Sequence, residues 1–421
     1  MRQQTVIQTF LSRFLILALN FGLVIFTTNF WGSEGKGIIS LVIADLAIVG
    51  FFTNIFVGSS VTYFAPKLKK EQILLYAYIW SIIAGVAIPI VFSYVFYTHQ
   101  YLIFLIGLCV SSALLTAHIN LFVGNQNIQK FNIYSILQQL VHAILLVVFI
   151  YFFKIIEVEV YFLTMIFTNL LLFVISFKGL YKNFNFSHII FSEDSFRKIF
   201  NYGWKTQLSA FLQFLNYRLS YYFLGFYKGI SSVGVFSVGV AVSEAILMVS
   251  RSLSVVLYAD VVNSNDQKDS IVKTKKSLKI SFLLSFLFIV LILIVPSGIY
   301  SFVFGKDFSQ TKQIILLLSP GILALATSDI IGYYFAGFLQ LKILNIKSII
   351  GLVFTIFASL YAIPKWGILG ACLVTSVSYC LTAIILFWKF YQDTKFSIHD
   401  FILSETETRL LLQSLKNKFK S

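Results

Sequence analysis

The sequence predicts an all-α polytopic membrane protein, with about 12 transmembrane helices in two six-helix bundles. Three observations lead there. Of 421 residues, 58% are hydrophobic and only 12% are charged. The mean hydropathy of +0.87 exceeds what a water-soluble globular chain of this length reaches. The apolar residues lie in runs of about 20 or more without alternation, which suits membrane helices and not barrel strands.

Polar breaks place the first six spans near 11–31, 37–63, 73–97, 101–123, 131–153 and 160–177. A second six follow near 204–226, 232–259, 280–303, 313–339, 343–363 and 368–391. The first span is too long for a signal-peptide core, and Phe30-Trp31-Gly32-Ser33 lacks a small-x-small cleavage pattern, so it is expected to stay. The expected organisation is an N-terminal bundle over 1–178, a cytoplasmic linker over 179–198, a C-terminal bundle over 199–392 and a tail over 393–421. In the tail, Ser404 and Glu407 form a capping box, and Leu410, Leu411, Leu415 and Phe419 interleave with Arg409, Lys416, Lys418 and Lys420. That pattern predicts a basic amphipathic helix on the cytoplasmic leaflet; a solvated terminus is the plainer reading.

Cations set the orientation, because Lys and Arg flanking the spans are retained in the cytoplasm. With both termini inside, 24 of the 32 Lys and Arg residues fall on the cytoplasmic side, six (Lys36, Lys154, Lys228, Lys306, Lys312 and Lys365) fall outside, and Arg218 and Arg251 lie within spans. The net charge of +15 is then explained by cytoplasmic rims, with no nucleic-acid partner. Cys109, Cys372 and Cys380 fall in apolar runs without metal-ligand spacing and read as packing residues. The two sets of spans also carry a weak internal repeat. A shift of 197 residues matches Gly37 to Gly234, Ser40 to Ser237 and Ala44 to Ala241, consistent with a duplicated transporter half.

Several segments resemble the polysaccharide-export branch of the multidrug/oligosaccharidyl-lipid/polysaccharide (MOP) exporter superfamily. WGSEGKGIISLV at Trp31–Val42 is similar to the glycine-rich turn between that family's first two helices, and GSSVTYFAPK follows at Gly58–Lys67. FLNYRLSYYFLG at Phe214–Gly225 and VGVFSVGVAVSEAI at Val233–Ile246 are similar to its seventh and eighth helices. SPGILALATSDIIGYYFAGFLQ at Ser319–Gln340 and IPKWGILGACLVTSVSY at Ile363–Tyr379 complete the likeness across both halves. The chain departs from the family in carrying Ser220 where many relatives have an acidic residue, and Ala259 where a proline commonly closes the eighth helix. The resemblance implies a MATE-like V-shaped fold with a central cavity open alternately to each side. The implied activity moves an undecaprenyl-diphosphate-linked glycan outward across the bacterial inner membrane. The implied partners are that lipid-linked anionic oligosaccharide, membrane lipids, a polysaccharide polymerase and glycosyltransferases.

Ionisable side chains at bilayer depth usually face a wet cavity or a partner, because each costs about 2.5–3.5 kcal/mol even on a lenient scale. A guanidinium matches phosphate oxygens, so Arg218 and Arg251 are the expected headgroup ligands, with Arg13 near the inner mouth as a third. The alternatives are a structural salt bridge for the first two and an interfacial anchor for Arg13. Glu244, Asp45 and Asp329 are candidates for balancing these cations or carrying a coupling H+ or Na+; structural roles compete, most strongly for the aspartates. His118 and His142 read as packing residues or as switches. Trp31, Trp80, Trp204, Trp366 and Trp388 are expected at span ends as interfacial anchors. Pro89, Pro296 and Pro320 are expected within or beside spans, and Pro364 at the start of a loop.

No phosphate-binding G-x-x-x-x-G-K-[ST] loop, metal cluster or nucleophile elbow occurs, so no cofactor is expected and energy would come from an ion gradient or product consumption. A membrane glycan polymerase or glycosyltransferase would need substantial outer loops; the longest expected here is around 304–312, which argues against an enzyme. A multidrug exporter would call for an acidic cavity, and a peptidoglycan-precursor flippase for a longer chain.

Overall fold

A computed structural model describes residues 3–96, 99–181, 191–263, 267–338 and 340–395. Helices account for nearly all of them. In chain order they are α1 (Gln3–Val57), α2 (Ser59–Phe64), α3 (Lys70–Phe96), α4 (Leu102–Gly124), α5 (Ile128–Tyr151), α6 (Glu159–Tyr181) and α7 (Glu193–Lys228). Then come α8 (Ile230–Ala245), α9 (Leu247–Asn263), α10 (Gln267–Ile294), α11 (Ser297–Phe304), α12 (Thr311–Gly337), α13 (Leu341–Trp366) and α14 (Ile368–Thr394). Among the described residues, nine helices are long and apolar enough to cross a membrane, or ten if α8 and α9 form one broken span. One of the nine is 54 residues long, about 80 Å at 1.5 Å per residue, more than twice a bilayer's hydrocarbon thickness.

Several expected boundaries are corrected. The polar turn between the first two spans is not a loop: α1 runs through it, broken only at Gly32 (φ 63°, ψ −160°). Glycine tolerates this conformation because it has no Cβ. The expected 280–303 span ends instead at Ile294, before Pro296, and its helix begins in polar sequence at Gln267, where Asp269 and Lys273 pair one turn apart at 2.7 Å. Pro364 starts no loop; it lies in the last turn of α13. Trp80 and Trp204 sit well inside α3 and α7, with the Trp80 indole N–H donated to the Phe52 carbonyl at 2.8 Å. The amphipathic tail lies outside the described residues apart from its first three.

The chain packs as two compact units. The first comprises residues through Ser237 together with Ser301–Phe308; the second comprises Val238–Tyr300 and the residues from Ser309 on. In the first unit, Val57 and Val61 bury against Ile73, Leu74 and Ala77 of α3 and Ala113, Ala117 and Leu121 of α4. His118 and His142 serve that packing. The ring of His118 bonds the Tyr78 hydroxyl and, through Nδ1, the Ser176 hydroxyl at 2.6 Å, while His142 Nε2 lies 3.2 Å from the Tyr161 carbonyl.

Small residues let α1 and α8 cross almost backbone to backbone within this unit. A Cβ on Gly37 would fall 2.1 Å from the Ile230 carbonyl oxygen, and one on Gly234 would fall 1.8 Å from that of Ser33. The Ser40 hydroxyl donates to that of Ser237 at 2.9 Å, and the Ser33 and Ser231 hydroxyls meet at 2.7 Å. Gly37, Ser40, Gly234 and Ser237 are the positions matched by the 197-residue shift, so equivalent residues of the repeat meet at one crossing. Helix α7 lies against α1 in the same way, with Gly203 over the Ile55 carbonyl and Phe211 stacked on Phe51 at 4.4 Å.

The second unit is built around α12. Leu257 and Val261 of α9, Leu278 of α10, and Leu386 and Phe390 of α14 enclose Ile330, Ile331, Tyr334 and Phe335. Pro320 disturbs the hydrogen-bond ladder of α12, and the next N–H, that of Gly321, is donated to the Ser376 hydroxyl of α14 at 3.0 Å.

Candidate functional site

The first unit's polar groups gather where α7 meets α1. Helix α7 has 36 residues, about 54 Å, enough to span a bilayer, yet it is not among the nine apolar helices. From Gln207 to Tyr222 it carries Gln207, Gln213, Asn216, Arg218 and Ser220. A helix this polar needs wet or hydrogen-bonding surroundings at membrane depth.

Local spacing orders these side chains. Gln213 donates to the Tyr217 hydroxyl at 2.6 Å one turn on, and Arg218 donates through Nη1 to the Tyr221 hydroxyl at 3.0 Å. The guanidinium carbon also lies 5.3 Å from the centre of the Tyr221 ring. Tyr221 is itself buried and held edge-on to Phe236 at 5.5 Å, so the arginine is braced by a fixed aromatic. The neighbouring Tyr222 turns to α1, where its hydroxyl donates to Asp45 at 2.7 Å. Asp45 is thus engaged by a tyrosine.

Sequence reading missed a charge that acts on Arg218. Lys36 of α1, counted among outer-side cations, is half-buried within Coulombic reach of the guanidinium. Its position one turn past the Gly32 break brings it there, and that depends on α1 continuing where polarity suggested a loop. Arg13 lies apart from this couple: it is exposed and stacks over the Phe131 ring at 5.3 Å.

The second unit has its own charged group. Asp329 of α12 lies within Coulombic reach of Lys347 of α13 and Arg251 of α9. Lys347, counted with the cytoplasmic rim from sequence, is only 6% exposed. Arg251 is exposed, and Tyr333 and Tyr258 meet edge to face beside this group at 6.0 Å. Glu244 is half-buried in α8. Among the described residues, no three His, Cys, Asp or Glu side chains are placed to hold a metal.

Chemically, the first unit offers two cations with hydroxyl donors around them. The second offers a carboxylate within Coulombic reach of two cations.

The chain matches no protein-family model and no curated protein. It is similar to solved structures of transporters. Against a multidrug resistance MATE family transporter of the MOP superfamily, inward-facing, identity is 14% over 90% of this chain and 94% of that one, with a TM-score of 0.71. Against the lipid II flippase MurJ, inward closed, identity is 18% over 94% and 89%, with a TM-score of 0.73. A MOP superfamily transporter from Pyrococcus furiosus gives 14% over 92% and 94%, with a TM-score of 0.61. The fold is therefore the MATE-like fold of multi-pass membrane transporters.

Proposed function

We propose that this chain is a flippase, not an enzyme, moving an undecaprenyl-diphosphate-linked oligosaccharide from the inner to the outer leaflet of a bacterial cytoplasmic membrane. The product would feed assembly of O-antigen, capsule or exopolysaccharide by a polymerase, after glycosyltransferases have built the unit. The observation that carries this reading is Arg218, an arginine in the polar helix α7 braced by the buried Tyr221, with Lys36 within Coulombic reach of it. An arginine costs about 2.5–3.5 kcal/mol at bilayer depth, and a second cation of like sign within Coulombic reach adds to that, so the region favours an anionic ligand. A diphosphate supplies several acceptor oxygens to an arginine fork and a lysine point charge. The fold likeness to a lipid II flippase supports a lipid-linked cargo.

In this reading Arg251 is a further phosphate ligand, and Arg13 greets the headgroup at the cytoplasmic side. Asp45, Glu244 and Asp329 balance charge or carry the coupling H+ or Na+, and no cofactor is needed. The buried Lys347, within Coulombic reach of Asp329, makes charge balance the stronger role for that aspartate.

The test replaces Lys36 and Arg218 by Ala, and Arg218 by Lys, in a cell that depends on this protein for surface glycan. Membrane abundance is measured in parallel. Loss of one to three kcal/mol of anion binding corresponds to about a 5–150-fold fall in export for the Ala variants, with partial activity for Arg218→Lys. Full glycan display at equal abundance in all three variants refutes the proposal. A peptidoglycan precursor shares the diphosphate anchor, and would instead make the variants lethal without touching surface glycan. Altered drug susceptibility with normal glycan would point to a multidrug exporter.

A further inference from the structure

Uncharged amides collect where three apolar helices of the first unit begin or end. Gln8 lies just ahead of the first apolar span, which starts at Leu11, and 125–127 is the turn between the spans that end at Gly124 and start at Ile128. With Gln129 and Ile128 these residues line a recess of about 380 Å³. Its lining is therefore Gln8, Asn125, Gln126, Asn127, Gln129 and one isoleucine, with no charge among them.

The turn that carries three of these amides is fixed by its own backbone. The Gln126 N–H is donated to the Val123 carbonyl at 2.9 Å and the Asn127 N–H to that of Phe122 at 2.8 Å, the paired bonds that close a helix through a left-handed residue. Asn127 then caps α5 by accepting the Lys130 N–H at 3.1 Å. The left-handed residue is Gln126, at φ 57°. Glycine is the usual occupant of that place because it has no Cβ, so a glutamine here keeps its amide against backbone strain.

A guanidinium lies one step toward the membrane. Arg13 stacks over Phe131 at 5.3 Å, which joins α1 and α5 at that level. From Arg13 back to Gln8 is about 7.5 Å along α1, and from Phe131 back to Ile128 about 4.5 Å along α5. Both steps lead from the apolar spans toward their ends. The order across this boundary is apolar helix, guanidinium, amides, and a lipid-linked sugar diphosphate has the matching order of hydrocarbon, phosphates and hydroxyl-bearing ring. A sugar hydroxyl both donates and accepts, as a side-chain amide does, whereas an ammonium only donates and a carboxylate only accepts. We propose that this recess receives the first sugar of the lipid-linked cargo on the cytoplasmic side, with the diphosphate at Arg13. The inference rests on the reading of the chain as a flippase for such a lipid, and it concerns the part of the cargo beyond the phosphates.

The test measures lipid binding by the full chain in nanodiscs. The probes are undecaprenyl diphosphate and the same lipid carrying one glucose, galactose or N-acetylglucosamine. The parent is expected to bind at least one glycosylated lipid about tenfold more tightly than the bare one, as two ordinary hydrogen bonds would give. Gln8→Ala, Gln129→Ala and Gln126→Gly are each expected to weaken that lipid about three- to fivefold and the bare lipid less than twofold. Gln126→Gly should also unfold at the same temperature as the parent or higher, because it relieves the left-handed residue, so its loss of binding would not come from a loosened fold. Arg13→Ala is expected to weaken all four lipids alike. Equal binding of the bare and every glycosylated lipid by the parent overturns the proposal, as does equal weakening of bare and glycosylated lipids in the amide variants. If the parent binds none of the lipids, the flippase reading falls and this one with it. A sugar preference that the amide variants remove, with Arg13→Ala unchanged, supports the recess as the sugar site and refutes the placing of the diphosphate at Arg13.

Discussion

Gly234→Ala tests the crossing of α1 and α8, because the new methyl has nowhere to go. Its carbon would sit 1.8 Å from the Ser33 carbonyl oxygen, 2.8 Å from the Ser33 carbonyl carbon and 2.9 Å from the Gly37 nitrogen, all backbone atoms that cannot swing aside. Ordinary contact begins near 3.4 Å, so the helices must part by about 1.6 Å. Overpacking of this kind costs about 1–3 kcal/mol, and losing the Ser40–Ser237 hydrogen bond adds about 0.6; the higher helix propensity of Ala returns up to about 1, leaving a net loss of about 2 kcal/mol. Gly22→Ala is the internal control, since a Cβ there meets nothing within 4 Å. It is expected to be neutral or slightly stabilising. Equilibrium unfolding of the purified protein in mixed micelles, followed by tryptophan emission, measures both. A Gly234→Ala protein as stable as the parent, or a Gly22→Ala protein equally weakened, would refute the crossing as described. Gly37→Ala should behave like Gly234→Ala. The double variant should lose less than the sum, because helices already parted by one methyl have room for the second.

Three further outcomes follow from other contacts. His118→Leu removes the ring shared by Tyr78 and Ser176 and should lower unfolding stability by about 1–3 kcal/mol, with Tyr78→Phe in the same background restoring part of it. Asp45→Ala should cost about 1–3 kcal/mol by stripping the Tyr222 hydroxyl of its acceptor, whereas Asp45→Asn keeps an acceptor oxygen and should cost less than half as much; equal losses would show that the bond is not what matters. Because the Ser33 hydrogen bonds lower the Asp307 carboxyl's folded value, its contribution is complete above the unfolded carboxylate range and fades as pH falls through the folded value. Thermal midpoints measured from about pH 7 down to pH 3 should drop less steeply for Asp307→Asn than for the parent.

Run length against polarity was enough to read the class of fold and most membrane helices, since the bilayer demands long, apolar, self-satisfied segments. The same criterion misread Trp31 to Gly37. Six of those seven residues are polar or glycine, yet a helix can pass through such a stretch by yielding at one residue, and the deciding dihedral at Gly32 leaves no trace in hydropathy. It also hid the start of α10, whose charges face outward on a continuing helix. Arg218, Arg251, Asp45 and Asp329 were legible as ions inside spans. Lys36 and Lys347 were not, because counting cations by side assigns each lysine to a rim, and only tertiary packing draws one toward Arg218 and buries the other near Asp329.

The polarity of α7 bears on how the chain is made. A segment carrying Arg218, Asn216 and two glutamines is a poor candidate for partitioning sideways into lipid by itself as it leaves the ribosome, since the arginine alone opposes entry by about 2.5–3.5 kcal/mol. Its apolar contacts with Phe51 and Ile55 are on α1, synthesised about 150 residues earlier. Biogenesis must therefore keep the earliest helix nearby until the seventh arrives, and variants that weaken that docking should be degraded during synthesis rather than accumulate as inactive transporter.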